Sequence, residues 1–290
     1  MYLPDFDYYA PETVAEACQL MTEHKDNAVK LISGGTDLMP LLKHGVLVPN
    51  VLVSIKKIPE LQVVKYVAGK GVEIGACTTL NGVVFAEALN EKYPSVCNAA
   101  QSMAANQIRH IGTIGGNIVA AVPSADMAPI LIVLNAIATI ASPEGEREIP
   151  IQEVFVGPKR SCLAQNEILT KITIPDGKFT GSTYHKFSLR RAGALAVVGV
   201  AVALEVDGDI IKDARVVYGA VGPTPLRGYK VEEFIIGKKI TDELLEEAGA
   251  IAHDECTPIT DFRASADYRR DLVRVYTKRT LRRAIDNGHK

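Results

Sequence analysis

The chain has 290 residues, 47% hydrophobic, 23% charged and 6% aromatic, with 32 Lys and Arg against 34 Asp and Glu for a net charge of −2. The apolar fraction excludes disordered and low-complexity classes, and the balanced charge excludes a basic field that would wrap nucleic acid. The length corresponds to about two domains of roughly 150 residues each, large enough to need no disulfide or metal staple.

Residues 1–7, MYLPDFD, have neither the basic n-region nor the apolar core of a signal peptide, so a cytoplasmic protein is expected. Pro11-Glu12 opens a helix, followed by Val14, Ala15, Cys18 and Met21 at helical spacing. Residues 28–32 form a short apolar run ending at Ser33-Gly34-Gly35, which reads as a buried strand feeding a turn. Thr36-Asp37 then caps a short helix carrying Leu38, Leu41 and Leu42. Strands are expected at 51–55, 62–67 and 72–76, and helices at 80–89 and 95–105.

Residues 127–141, MAPILIVLNAIATIA, mimic a membrane span but contain Pro129 and Asn135 and fall short of the roughly 20 residues a bilayer requires. They read as a buried helix running into a buried strand, with a hairpin turn at 142–146. No membrane association is expected.

After about residue 175 the texture changes. Strands at 186–189, 194–206 and 210–218 precede helices at 231–236, 241–254 and a long arginine-rich one at 266–285. Strands followed by helices on one side define an α+β class. The domains are placed at 1–176 and 177–290.

The five cysteines, Cys18, Cys77, Cys97, Cys162 and Cys256, are isolated, which excludes a local iron–sulfur or zinc motif and reads as reduced thiols used as small hydrophobes. There is no H-E-x-x-H, no G-x-S-x-G and no carboxylate cluster at metal spacing, and the six histidines are scattered. Neither a catalytic residue nor a metal ligand is assigned. Chemistry on this chain would come from a bound cofactor.

Two glycine segments carry the signal. The first is Leu31-Ile32-Ser33-Gly34-Gly35-Thr36-Asp37-Leu38. Adjacent glycines after a strand permit positive φ and let amides approach a ligand without an intervening Cβ; the alternative is a tight strand-to-helix turn holding nothing. The second is Ile111-Gly112-Thr113-Ile114-Gly115-Gly116-Asn117, another amide-rich turn, and residues 111–125 carry no charge. Neither fits a Rossmann or a Walker A fingerprint. Two such turns suit a long dinucleotide clamped from both sides, with no cysteine beside them to make a covalent link.

At these turns the sequence resembles the FAD-binding medium subunits of molybdenum hydroxylases, the family of the carbon monoxide dehydrogenase flavoprotein and the xanthine dehydrogenase flavin domain. The resemblance runs through Phe6-Asp7-Tyr8-Tyr9-Ala10-Pro11, both glycine segments, Pro123-Ser124-Ala125-Asp126-Met127-Ala128-Pro129, Tyr184-His185-Lys186-Phe187 and Asp261-Phe262-Arg263-Ala264-Ser265. It implies a vanillyl-alcohol-oxidase-like (PCMH) FAD-binding domain of two α+β subdomains, then a C-terminal domain of a three-stranded antiparallel sheet plus helices.

It also implies that Leu31 through Leu38 bind the pyrophosphate of noncovalent FAD, and that Ile111, Thr113, Ile114, Gly115, Gly116 and Asn117 bind pyrophosphate and ribityl. Asp126 would take a ribose or ribityl hydroxyl, and Leu169 and Lys186 would lie against the cofactor. Met103 stands where some relatives place an aromatic, and Gly193-Ala194-Leu195 where some carry a shielding tyrosine.

The implied function is an electron-transfer subunit of a hetero-oligomer. A small [2Fe-2S] subunit and a large molybdopterin subunit would be its partners, NAD(P)+ the acceptor, and an N-heterocycle such as nicotinate the substrate. A self-sufficient FAD-dependent oxidase or reductase is the alternative, and an assembly subunit without flavin a third reading. The arginines of the last helix read either as a solvated face or as a docking face for those partners.

Overall fold

The computed structural model describes residues 3–288, so the outermost ends of the expected 1–176 and 177–290 units and the first two residues of the opening segment lie outside the described residues. A parallel three-stranded sheet comes first, with Val51–Ser54 between Asp7–Tyr9 and Val29–Ile32. The helix Val14–Glu23 starts later than Pro11-Glu12 suggests. Thr13 is its cap, the hydroxyl accepting from the Glu16 amide at 3.2 Å, which fixes the start where an oxygen can satisfy a free amide. Ala17, Cys18 and Met21 on this helix pack into one cluster with Val29, Val51 and Val53.

The second sheet is antiparallel, in the order Val64–Val67, Gly71–Gly75, Ile168–Ile174, Ile137–Ser142, Gly145–Pro150. Its central strand, Ile168–Ile174, has no counterpart in the sequence reading. The expected helix over 80–89 is two helices, Leu80–Phe85 and Glu87–Lys92, because Ala86 takes an extended conformation between them. Residues 127–141 do form a helix, Met127–Val133, leading into Ile137–Ser142, and all seven helical residues are buried. A helix buried on every side reads as a continuous apolar run.

The C-terminal sheet has three long strands, Gly181–Phe187, Val198–Asp207 and Ile210–Gly219, with a two-residue fourth, Leu226–Arg227, at its edge. The first long strand lies earlier than the expected 186–189. Gly208, at φ +57°, makes the hairpin turn. The period-two alternation of the middle strand sorts its residues to two cores. Val200, Val202 and Leu204 face the helices Tyr229–Ile235, Asp242–Glu255 and Ala266–Gly288, whereas Ala201 and Ala203 join the cluster built on Met127–Val133. Small side chains on that face let the buried helix approach.

Several arginines of the last helix are engaged within the chain. Arg274 and Lys278 both reach Glu246 on the preceding helix, at 2.8 and 2.7 Å, and Arg282 reaches Asp242. Arg269, 1% exposed, donates to the carbonyls of Val197 and Ala220 and to Asp261. These side chains tie helix to helix and helix to sheet.

Candidate cofactor site

A cleft of about 840 Å³ opens between the two N-terminal sheets and is closed on one side by a C-terminal loop. The first glycine segment forms one wall. Leaving the strand Val29–Ile32, the chain turns at Gly35, φ +72°, into the short helix Leu38–Lys43. Among the described residues the amides of Ser33 through Leu38 donate to no acceptor. Six consecutive free amides on a cleft wall are a ready anion cradle.

The second segment departs from its reading as a turn. Thr113 caps the helix Ile114–Val119, so Gly115 and Gly116 are helical. Its amides are already satisfied: Ile114 donates to Thr78, Gly115 to Ala76, Asn117 to the Thr113 carbonyl and Gly116 to the Thr113 hydroxyl. Gly115 is required by packing, since a Cβ there would stand 2.6 Å from the Ala76 carbonyl oxygen. What this segment offers the cleft is a side chain. The Oδ1 of Asn117, a residue lining the cleft, is buried and has no partner, an acceptor left for a group that can donate.

The two segments are fastened together. The Ser33 hydroxyl lies 3.1 Å from the Thr113 Oγ1 and 3.2 Å from the Cys77 Sγ. A cysteine therefore does stand beside the glycine segments, brought there by the fold from 44 residues away. Burial pushes its thiol above the ordinary value, and it is 5% exposed.

Asp126 forms the floor. It precedes the helix Met127–Val133 but makes no side-chain cap. Its carboxylate accepts from the Tyr184 hydroxyl at 2.7 Å and from the Lys186 Nζ at 2.8 Å, and the same ammonium donates to the Ser102 carbonyl. Burial pushes the Asp126 carboxyl up, opposed by the Lys186 charge and both hydrogen bonds. The phenol of Tyr184 is likewise driven well above its usual value, by burial and then by the neighbouring carboxylate.

Of the residues singled out in the sequence, Leu31 through Leu38, Met103, Thr113, Gly115, Gly116, Asn117, Asp126 and Leu169 line this one cleft. Three do not. Ile111 faces solvent, Ile114 is fully buried in the core, and Lys186 is paired to Asp126.

Sequence reasoning missed Ala104, Ala105, Ser124, Leu163 and Gln165 as lining residues and gave no lining role to Gly193, Ala194 and Leu195. The C-terminal loop is held in place by the Gly193 amide, which donates to the Ala104 carbonyl at 3.1 Å. Ala104 itself sits at φ +42°, a conformation that no sequence signal marks in an alanine.

The cleft thus presents free backbone donors on one wall, an unpartnered acceptor on the other and mostly apolar side chains between. These features fit a dinucleotide with an anionic bridge and an apolar ring system.

Comparison with known proteins agrees. The profile described as the FAD binding domain in molybdopterin dehydrogenase matches residues 4–177, and that of the CO dehydrogenase flavoprotein C-terminal domain matches 182–284. The chain belongs to this family, the FAD-binding subunits of molybdopterin dehydrogenases, and has its PCMH-type fold. It is 34% identical to the glyceraldehyde dehydrogenase medium chain of Sulfolobus acidocaldarius, covering 97% of this chain and 99% of that one.

Among solved structures, the carbon monoxide dehydrogenase of Hydrogenophaga pseudoflava that lacks the Mo-pyranopterin moiety superposes with a TM-score of 0.94 at 31% identity, covering 99% of both chains. Quinoline 2-oxidoreductase of Pseudomonas putida 86 also gives 0.94, at 26% identity over the whole of both chains. No helix among the described residues is long and apolar enough to cross a membrane.

Proposed function

We propose that this chain is the noncovalent FAD-carrying electron-transfer subunit of a molybdenum hydroxylase complex. It takes electrons from [2Fe-2S] clusters in a small partner subunit and passes them to NAD(P)+, while a large molybdopterin subunit hydroxylates the organic substrate. The observation that carries this reading is the cleft wall of six free amides, Ser33 to Leu38, facing the unpartnered Asn117 Oδ1. Bound FAD supplies the redox chemistry; the chain binds, orients and shields it. The amides of Ser33–Leu38 hold the pyrophosphate, Asn117 accepts from a hydroxyl or ring N–H, and Met103, Leu169 and Leu195 keep water from the ring. Asp126, held by Tyr184 and Lys186, keeps a fixed acceptor on the floor.

Two observations support metal centres in other chains. No group of three or more His, Cys, Asp or Glu that could hold a metal ion is found among the described residues, and the five cysteines are free thiols. An N-heterocycle such as nicotinate as substrate is supported by the likeness to quinoline 2-oxidoreductase.

Purification tests the proposal. The chain should be yellow, should release its flavin on acid precipitation, and should pass electrons from NADH to a dye without oxidising the organic substrate. Full turnover of that substrate by the lone chain would establish the self-sufficient oxidase instead, and a colourless chain that takes up no FAD would establish an assembly role.

A further inference from the structure

A second cavity, about 460 Å³, lies at the junction of the two domains, lined by residues distinct from those of the flavin cleft. Its wall from the N-terminal domain is mixed, with Ile132, Ile137, Ile149 and Ile151 beside Asn135, Glu148 and Gln152. Its other wall is the sheet edge of the C-terminal domain, which contributes Arg215 and Arg227.

These two arginines are placed by register. Arg227 pairs with Val217, and Arg215 stands two residues before Val217 on the same strand. The two side chains therefore share a face as diagonal neighbours, roughly 7–8 Å apart at their backbones, within reach of one small anion.

The charge on them is incompletely compensated. Among the described residues Glu232 is the one ion-pair partner of Arg227 and takes its Nε, while the Tyr229 ring centroid lies 4.8 Å from the same guanidinium. Arg215 has no hydrogen bond and no carboxylate within 4.0 Å among the described residues, and its Nε is buried without a partner. Its guanidinium lies 5.9 Å from the Phe179 ring centroid, which orients it without neutralising it. A buried donor without an acceptor is uncommon in a native protein and leaves room for a partner, water or ligand.

We infer that this junction cavity binds a small organic monocarboxylate, its carboxylate between Arg215 and Arg227 and its apolar body against the isoleucines. The class follows from charge and shape. Glu232 offsets one of the two guanidiniums, and Glu148, the other carboxylate at the cavity, is exposed and screened by water, so a single anionic charge is the most the site can take. A planar guanidinium fork matches a planar carboxylate in two parallel bonds. The cavity volume suits a small molecule. Because its two walls come from different domains, such a ligand would stabilise their docking.

Calorimetric titration of the full chain with benzoate, benzamide and inorganic phosphate tests this. Benzoate should bind saturably at millimolar concentration and raise the melting temperature, whereas neutral benzamide should do neither and phosphate should bind more weakly. R215Q should weaken benzoate at least about tenfold, the loss of a charge-assisted hydrogen bond, with R215K intermediate and flavin content unchanged in both.

Equal benzoate affinity in R215Q, or no benzoate binding to the wild type, overturns the site. Phosphate binding as tightly as benzoate overturns the ligand class. Should R215Q fail to fold, the benzamide comparison and R215K decide. Flavin content is read independently, so failure here leaves the electron-transfer reading standing.

Discussion

The backbones of Gly34 and Ile111 touch: a Cβ built on Gly34 would overlap the carbonyl oxygen of Ile111 and lie 2.9 Å from the Gly112 Cα. The glycine is demanded by contact between the two loops that shape the cleft, not by a ligand. Gly34→Ala should therefore spread the loops, destabilise the chain by about 1–3 kcal/mol and lower the flavin-to-protein ratio. Gly116→Ala meets only the Thr113 hydroxyl at 3.0 Å and should keep most flavin. Absorbance ratios and thermal melts of the two variants separate these outcomes; equal loss in both would contradict the loop-contact account.

Asn117→Leu should move stability and affinity in opposite directions. The buried Oδ1 has no partner in the free chain, so its removal should leave the apo melting temperature unchanged or higher. FAD affinity should fall about tenfold or more, the loss of one hydrogen bond and its geometry. Fluorescence titration of deflavinated protein reads this directly. Unchanged affinity would show that Asn117 faces no ligand donor.

Lys186→Met should cost about 3–5 kcal/mol, since it leaves the Asp126 carboxylate buried without its cation. The double variant Asp126→Asn, Lys186→Met should recover part of that loss. Chemical denaturation of the four members of the cycle measures the coupling, and strictly additive losses would mean that the pair is not coupled.

Asp261 should shape the acid limb of the stability curve. The Arg263 guanidinium bonded to it, and the charge of Arg269 beside it, hold its carboxyl well below the usual carboxylate range. A carboxyl depressed in the folded state contributes stability in full above its unfolded value near 3.9, and loses that contribution as pH falls toward the folded value. Asp261→Asn should therefore melt lower than wild type at neutral pH, with the gap closing below about pH 4. Melting curves across that range check it; a gap that stays constant into strong acid would assign the loss to geometry alone.

Glu246→Gln should leave stability nearly unchanged. Its partners Arg274 and Lys278 are half-exposed, and such pairs are weak and screened by salt. A larger loss in denaturant melts, or one insensitive to salt, would show that this helix–helix pair is effectively shielded from solvent.

Local signals decided a good part of this molecule from sequence alone. The apolar run at 127–141 dictated a buried helix and strand, the hairpins at 142–146 and 207–209 follow from their turn residues, and Leu31 through Leu38 are legible as a strand, a glycine turn and a helix start. Each depends on residues adjacent in the chain.

What only the tertiary structure decided depends on residues far apart. The strand Ile168–Ile174 at the centre of its sheet is defined by partners some 30 and 100 residues away. Ala86 breaks a helix that its own sequence does not break, because the chain must turn to keep Leu80, Val83 and Leu89 in one core. Gly115 reads as a glycine kept small for a ligand until Ala76 is seen against it, and Lys186 reads as lining the cleft until it is seen paired to Asp126, which does. Spacing along a chain reports which face a residue takes; what stands opposite that face is set by packing, and packing joins segments that the sequence keeps apart.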